Sequence, residues 1–202
     1  MFSKLFRKKQ SPKPDPQHEL AEWESNGRPS PPPHIVKQKA IEQYRQRYGL
    51  NNFVETGTYL GDMVEAMRER FQTIYSVELS KKLHRRVSRQ FKQYKHIHLL
   101  QGDSADRLKE IVSQLTSPAI FWLDGHYSGG MTAMGEKECP VREELAAIFT
   151  SDLSHVILID DARLFNGTHD YPDMSELAAI VQKTGRSYTI ETTDDIIRVT
   201  PS

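Results

Sequence analysis

Asn52-Phe53-Val54-Glu55-Thr56-Gly57-Thr58-Tyr59-Leu60-Gly61 is the stretch whose reading decides the fold. Phe53 and Val54 supply a short buried strand, and Glu55 stands where that strand runs out. Gly57 permits a tight turn, and Gly61 lets a helix begin close to whatever lies above the turn. This layout predicts a pocket of the nucleotide type at the carboxyl end of a first parallel strand. The spacing E-x-G-x-x-x-G differs from the dinucleotide fingerprint G-x-G-x-x-G, which reserves the turn for a pyrophosphate held on backbone N–H groups. An acid at this place repels phosphate and suits a ligand that presents an ammonium group. For ten residues taken alone, an ordinary strand-to-helix turn is the plain alternative.

Downstream, strands and helices alternate, which predicts an α/β sheet of parallel strands joined by right-handed crossovers. Helices are expected over Asp62 to about Phe71, Ser80 to about Tyr94, Ala105–Leu115, Val141–Phe149 and Met174–Thr184. Strands are expected over Thr73–Leu79, His96–Gln101, Ala119–Asp124 and His155–Asp160. Ala119–Asp124 has almost no polar interruption, as central parallel strands tend to. Ser187–Thr192 and Asp195–Thr200 form a terminal antiparallel pair around a turn at Thr193-Asp194. The long segment Gly125–Pro140, with Gly129, Gly130 and Gly135, has the length of a lid or binding loop.

Upstream, residues 10–34 carry Ser-Pro-Lys-Pro-Asp-Pro and Pro-Ser-Pro-Pro-Pro and read as a linker, so that 1–34 is a disordered basic and proline-rich tail and 35–202 the folded domain. His34–Tyr48 has helical spacing and is expected to pack on the sheet edge or to lid the pocket. Residues 1–9 lack the apolar core of a signal peptide. They read as a solvated tail first and as a short basic membrane-surface anchor second.

The 202 residues suit one catalytic domain, and 27 basic against 27 acidic residues argue for a small or neutral partner and against nucleic acid. The basic run Lys81, Lys82, Arg85, Arg86 and Arg89 reads as a solvated helix face. A single cysteine, Cys139, excludes an intramolecular disulfide and fits a reducing cytosol; no apolar run nears the roughly 18 residues that span a bilayer. A soluble cytoplasmic protein is expected, peripheral at the inner membrane surface if residues 1–9 do anchor, and a homo-oligomer stays open.

The first five strands each end in an acid: Glu55, Glu78, Asp103, Asp124 and Asp160. Helix capping explains one or two of these, but five in succession poorly. Glu78, about 20 residues past the glycine turn, is placed to accept hydrogen bonds from both ribose hydroxyls. Asp103 and Ser104 either read an adenine edge or cap a helix. Asp124 with Asp160 and Asp161 brings three carboxylates together, and a hard divalent cation such as magnesium relieves their repulsion. A hydroxyl on that cation loses its proton readily. His126 or Asp124 is the candidate base, with a loop-packing role for His126 the alternative. Arg142, Glu143 and Glu144 are expected to be surface-exposed, with entry into the site the alternative, while Arg163, Asn166, His169 and Asp170 are candidates to contact substrate.

Over Asn52 to Thr200 these residues resemble the class I S-adenosylmethionine-dependent methyltransferases, a Rossmann-like fold, and within it the metal-dependent macrocin-type sugar O-methyltransferases. The shared features are Glu-Thr-Gly with a later Gly, Asp-Gly after the fourth strand and a double Asp after the fifth. The resemblance implies S-adenosyl-L-methionine with Glu55 and Gly57 at its methionine end, Glu78 at the ribose, and Asp103 and Ser104 at the adenine. Thr56, Gly61 and Asp124 complete the cofactor-binding set, and Asp124, Asp160 and Asp161 hold magnesium. The broader class commonly has glycine where this chain has Tyr59. The expected activity is metal-assisted O-methylation of a small hydroxylated acceptor, such as a sugar or glycoside; a non-catalytic scaffold and a nucleotide-dependent oxidoreductase are the alternatives.

Overall fold

The computed structural model describes residues 15–125 and 139–202. Among these, in chain order, run helices α1 (Pro16–Ser25) and α2 (His34–Tyr48), then β1 (Asn52–Thr56), α3 (Asp62–Met67), β2 (Thr73–Glu78), α4 (Lys81–Phe91), β3 (Ile97–Gln101) and α5 (Ser104–Gln114). They continue with β4 (Ala119–Leu123), α6 (Val141–Ile148), β5 (Val156–Ile159), a 3-10 turn (Ala162–Leu164), α7 (Met174–Gln182), β6 (Tyr188–Thr193) and β7 (Ile196–Pro201).

The strands form one sheet in the order β3-β2-β1-β4-β5-β7-β6, parallel except for β7, which runs antiparallel to both neighbours. Successive side chains of a strand point to opposite faces, so each central strand feeds two cores. Phe53, Ile120, Trp122 and Leu158 pack on one side with Ile41 of α2, Val64 and Met67 of α3 and Val87 of α4. Val54, Phe121, Leu123, Ile157 and Ile159 pack on the other with Leu108 of α5, Leu145 of α6 and Leu177 of α7. Helices therefore cover both faces, as expected for strands that are apolar throughout.

After β3 the chain returns to the far side of β1 to make β4, which sets the topological switch point between β1 and β4. Gly57 marks how tightly the two exits meet. With φ at 85° it takes a turn that L-residues resist, and a Cβ there would stand 2.2 Å from the Asp124 carbonyl oxygen.

Two expectations need correction. Residues 16–25, placed in the disordered tail, form α1. Pro16 sits in its first turn, where no backbone N–H is needed, and the Asp15 side chain accepts from Gln17 N. Trp23 is buried, donates from Nε1 to the Pro29 carbonyl at 2.7 Å, and lies under the Arg28 guanidinium, which pairs with Asp194 at 2.7 Å. The folded body thus begins well before residue 35. The terminal turn is Asp194-Asp195, one residue later than read, with φ of 55° and 61°. Positive φ at both positions gives the twist that a two-residue hairpin loop requires.

Candidate active site

Register brings the acids together. Thr56 lies beside Leu123, and Leu123 beside Ile159, so Gly57, Asp124 and Asp160 leave the sheet at one edge. Glu55 is buried under this edge and accepts from Ser76 Oγ at 2.5 Å, while Ser76 Oγ and Thr58 Oγ1 are 2.6 Å apart. Burial, with Glu78 adding to it and the Ser76 hydroxyl opposing, pushes the Glu55 carboxyl up to about 8. A carboxyl with that pKa is mostly protonated near pH 7.

At the end of β2, Glu78 accepts from the backbone N–H groups of Tyr59 and Ser80, each at 2.8 Å. One carboxylate thus pins the glycine turn to the start of α4. Tyr59, at φ 47°, presents its N–H inward and its ring to solvent. Gly61 has φ 81°, and a Cβ would stand 2.8 Å from the Phe91 ring, so its smallness lets α3 pack on α4. Asp103 caps α5, its Oδ1 accepting from Ala105 N at 2.9 Å and Asp106 N at 3.4 Å. Capping is thus the role its geometry displays.

Asp124, Asp160 and Asp161 each offer an oxygen within 4.8 Å of the others. Asp160 is fully buried, and among the described residues its Oδ1 has no hydrogen-bond partner. Asp161 takes φ 57°. The hairpin turn holds that loop in place: Ala162 N donates to the Asp195 carbonyl at 2.9 Å and Arg163 N to Asp195 Oδ1 at 2.8 Å. Arg163 pairs with Asp161 at 2.9 Å and with Asp195. Burial, then Asp160, holds Asp124 well above the usual carboxylate range, and burial likewise raises Asp160. Three carboxylates this close, one of them buried with a single oxygen left over among the described residues, fit a hard divalent cation.

One residue of this rim has no signal in the sequence, and a second lies on the less expected side. Lys37, on α2, forms an ion pair with Asp160, 123 positions away. Burial disfavours its charge, but Asp160, Asp124 and Asp161 outweigh burial and raise the Lys37 pKa. No periodic signal marks it, because its partner comes from a distant strand end. Glu144, expected at the surface, is fully buried on α6. Its Oε1 and the Thr56 hydroxyl crowd Gly125, where a Cβ would stand 3.2 Å from each. Burial pushes Glu144 up to about 7, against the neighbouring Ser104 and Thr56 hydroxyls. Its place in the acidic first turn of a helix, followed by apolar Leu145, gave no sign of which way it faces.

Other candidates lie elsewhere. Arg142 is bound to Glu176 at 2.6 and 2.7 Å, and Asn166 accepts from Thr168 within its own loop. Cys139 is fully buried, and that burial pushes its thiol up to about 12, which disfavours the thiolate. Lys81, Lys82, Arg85, Arg86 and Arg89 are exposed, opposite the buried Leu83, Val87 and Phe91. His126 falls outside the described residues, as do residues 1–9. Among the described residues, no helix is long and apolar enough to cross a membrane.

No protein-family model matches the chain, and no curated protein matches it. Solved structures do. An O-methyltransferase from Bacillus cereus in complex with SAH is 13% identical, with 92% of this chain and 90% of that one covered at a TM-score of 0.58. The O-methyltransferase TomG from Streptomyces achromogenes, in complex with SAM, is 12% identical over 94% and 92% of the two chains, at 0.59. The SAH-bound methyltransferase PaMTH1 from Podospora anserina is 15% identical over 94% and 89%, at 0.57. At such identities the likeness shows a shared fold.

Proposed function

We propose that this chain is an S-adenosylmethionine-dependent O-methyltransferase that acts on a small hydroxylated acceptor with the help of a divalent cation. The observation that carries the reading is the acidic trio Asp124, Asp160 and Asp161 beside the β1/β4 switch point. Support comes from a fold shared with an SAH-bound and a SAM-bound O-methyltransferase. A sugar or glycoside with neighbouring hydroxyls is the acceptor class that suits such a rim, because two adjacent oxygens chelate one cation.

When bound, the sulfonium cofactor supplies an electrophilic methyl group, and the cation eases loss of the acceptor's hydroxyl proton. The chain does the positioning. Glu78 keeps lone pairs free beyond the two it gives to Tyr59 N and Ser80 N, and these can accept from ribose hydroxyls. Glu55, neutral without a ligand, gains an ammonium to pair with. Ser104, at the start of α5 beside the buried Glu144, would meet the adenine. Asp160 and Asp161 hold the acceptor end, and the turn of β6 and β7 keeps them there. Direct displacement at carbon needs this in-line placement more than covalent catalysis.

The test is calorimetric titration with S-adenosylmethionine. Wild type is expected to bind, and Glu78→Ala to bind at least about tenfold more weakly, as expected for loss of a charge-assisted hydrogen bond. Equal affinity in the two proteins would remove Glu78 from the ribose, and no binding by wild type would remove the reading.

A further inference from the structure

The three carboxylates of the rim already meet a cation, and that cation belongs to the chain. Lys37 reaches from α2 to Asp160 Oδ2, in an ion pair whose carboxylate is almost wholly buried, with 1% of its side chain exposed against 17% for Lys37. Asp124 and Asp161 stand within the same cluster and attract the same ammonium. Arg163, a second cation near this rim among the described residues, is engaged by Asp161 and Asp195.

We infer that Lys37 is the resident counter-ion of the acidic rim, and that a divalent cation binds there by displacing its ammonium. This rests on the metal reading above. Two roles for Lys37 compete and differ in sign. As an orienting donor, Lys37 would hold Asp160 by Oδ2 and leave the buried, unpartnered Oδ1 for the metal. Such contacts typically raise metal affinity 10- to 100-fold. As a rival charge, an ammonium that stayed a few ångströms from a doubly charged ion would cost several powers of ten in affinity, at the effective dielectric of about 20 that suits such sites, so it leaves, and the metal must offset the Lys37–Asp160 pair. The electrostatic effect is the larger. The exchange is also sterically open, because lysine carries its charge on a flexible four-carbon stem and this one reaches solvent.

Two consequences follow for the molecule. Without metal, the ion pair ties α2 to the sheet edge and stabilises the buried Asp160. With metal, that tie is released, so occupancy of the rim is coupled to the helix that borders it.

The experiment is calorimetric titration of metal-free protein with Mn2+, alongside thermal melts with and without the ion. Lys37→Met and Lys37→Gln are expected to bind Mn2+ at least about tenfold more tightly than wild type, and Lys37→Arg, which keeps the charge, about as wild type does. Without metal, the two neutral variants are expected to melt roughly 5 °C or more below wild type, and Mn2+ to close the gap. Binding that the neutral variants leave unchanged or weaken overturns the inference while the metal site stands. Mn2+ binding by none of the four proteins overturns the metal reading, and the inference with it. If the neutral variants do not fold without metal, their refolding on addition of Mn2+, at concentrations below those that load wild type, supports the inference; failure to refold overturns it.

Discussion

Glu55 shows how burial turns an acid into a conditional charge. Its residue type and position at the end of β1 were legible, because an acid at a strand end before glycine is a local pattern. Its protonation was not, since that depends on Ser76 across the β1–β2 pair and on the packing that excludes water. With its pKa pushed up to about 8 from an ordinary value near 4.5, the folded protein keeps a proton that the unfolded chain releases. Stability therefore falls as pH rises through that window, by up to about 1.4 kcal/mol per pH unit for this group. Glu55→Gln removes the ionisation, so urea melts at about pH 5 and about pH 8 should show it losing about 2 to 4 kcal/mol less than wild type across the interval. Contributions from Asp124 and Glu144 are common to both proteins and largely cancel. Parallel pH profiles would show that Glu55 is already ionised in the fold. Gly57 belongs to the same scale: its positive φ and the Asp124 carbonyl against it leave no room for a methyl group. Gly57→Ala is expected to cost about 2 kcal/mol or more in chemical denaturation, and a cost within about 0.5 kcal/mol would mean the two strand exits can part freely.

Among the elements, the sheet strands were readable within a residue or two because their apolar runs and turn residues are local signals. The amino-terminal helix was not. Proline density suggested a linker, but Pro16 starts α1 rather than breaking it, and what secures the helix is Trp23 closing onto Pro29 and Arg28. A single aromatic in a polar segment has no periodicity to detect. Trp23→Ala should therefore undock α1 locally: hydrogen exchange or limited proteolysis over residues 16–33 is expected to quicken about tenfold or more, with sheet amides little changed. Unchanged protection there would mean that α1 is held by its flanks instead. The terminal hairpin matters for a reason its own sequence does not show. Asp195 reaches back to Ala162 and Arg163, so the turn of one element sets the backbone that presents Asp161 in another.

Taken whole, the molecule places two groups of candidate residues along one sheet edge, the glycine turn with Glu78 on one side of the switch point and the acidic trio on the other. Ligands that bind only the folded chain stabilise it by mass action, about 2.7 kcal/mol at a hundredfold excess over the dissociation constant. For a protein of 202 residues this is a rise of roughly 5 to 10 °C. Mn2+ and S-adenosylmethionine should each produce such a shift. In Asp160→Asn combined with Asp161→Asn, the metal shift should vanish and the cofactor shift remain. Loss of both together would mean that the variant has disturbed the fold, and survival of the metal shift would place the ion elsewhere. By itself the sequence determined the alternation of strands and helices, the glycine turn, and the run of acids at strand ends. Those follow from side-chain direction and turn chemistry, which act over a few residues. Only the tertiary structure decided that Lys37 meets Asp160, that Glu144 is buried, and that Trp23 docks. The first two depend on the angle at which a helix settles on the sheet, and the third on a chain that folds back over α1; each is set by several contacts at once.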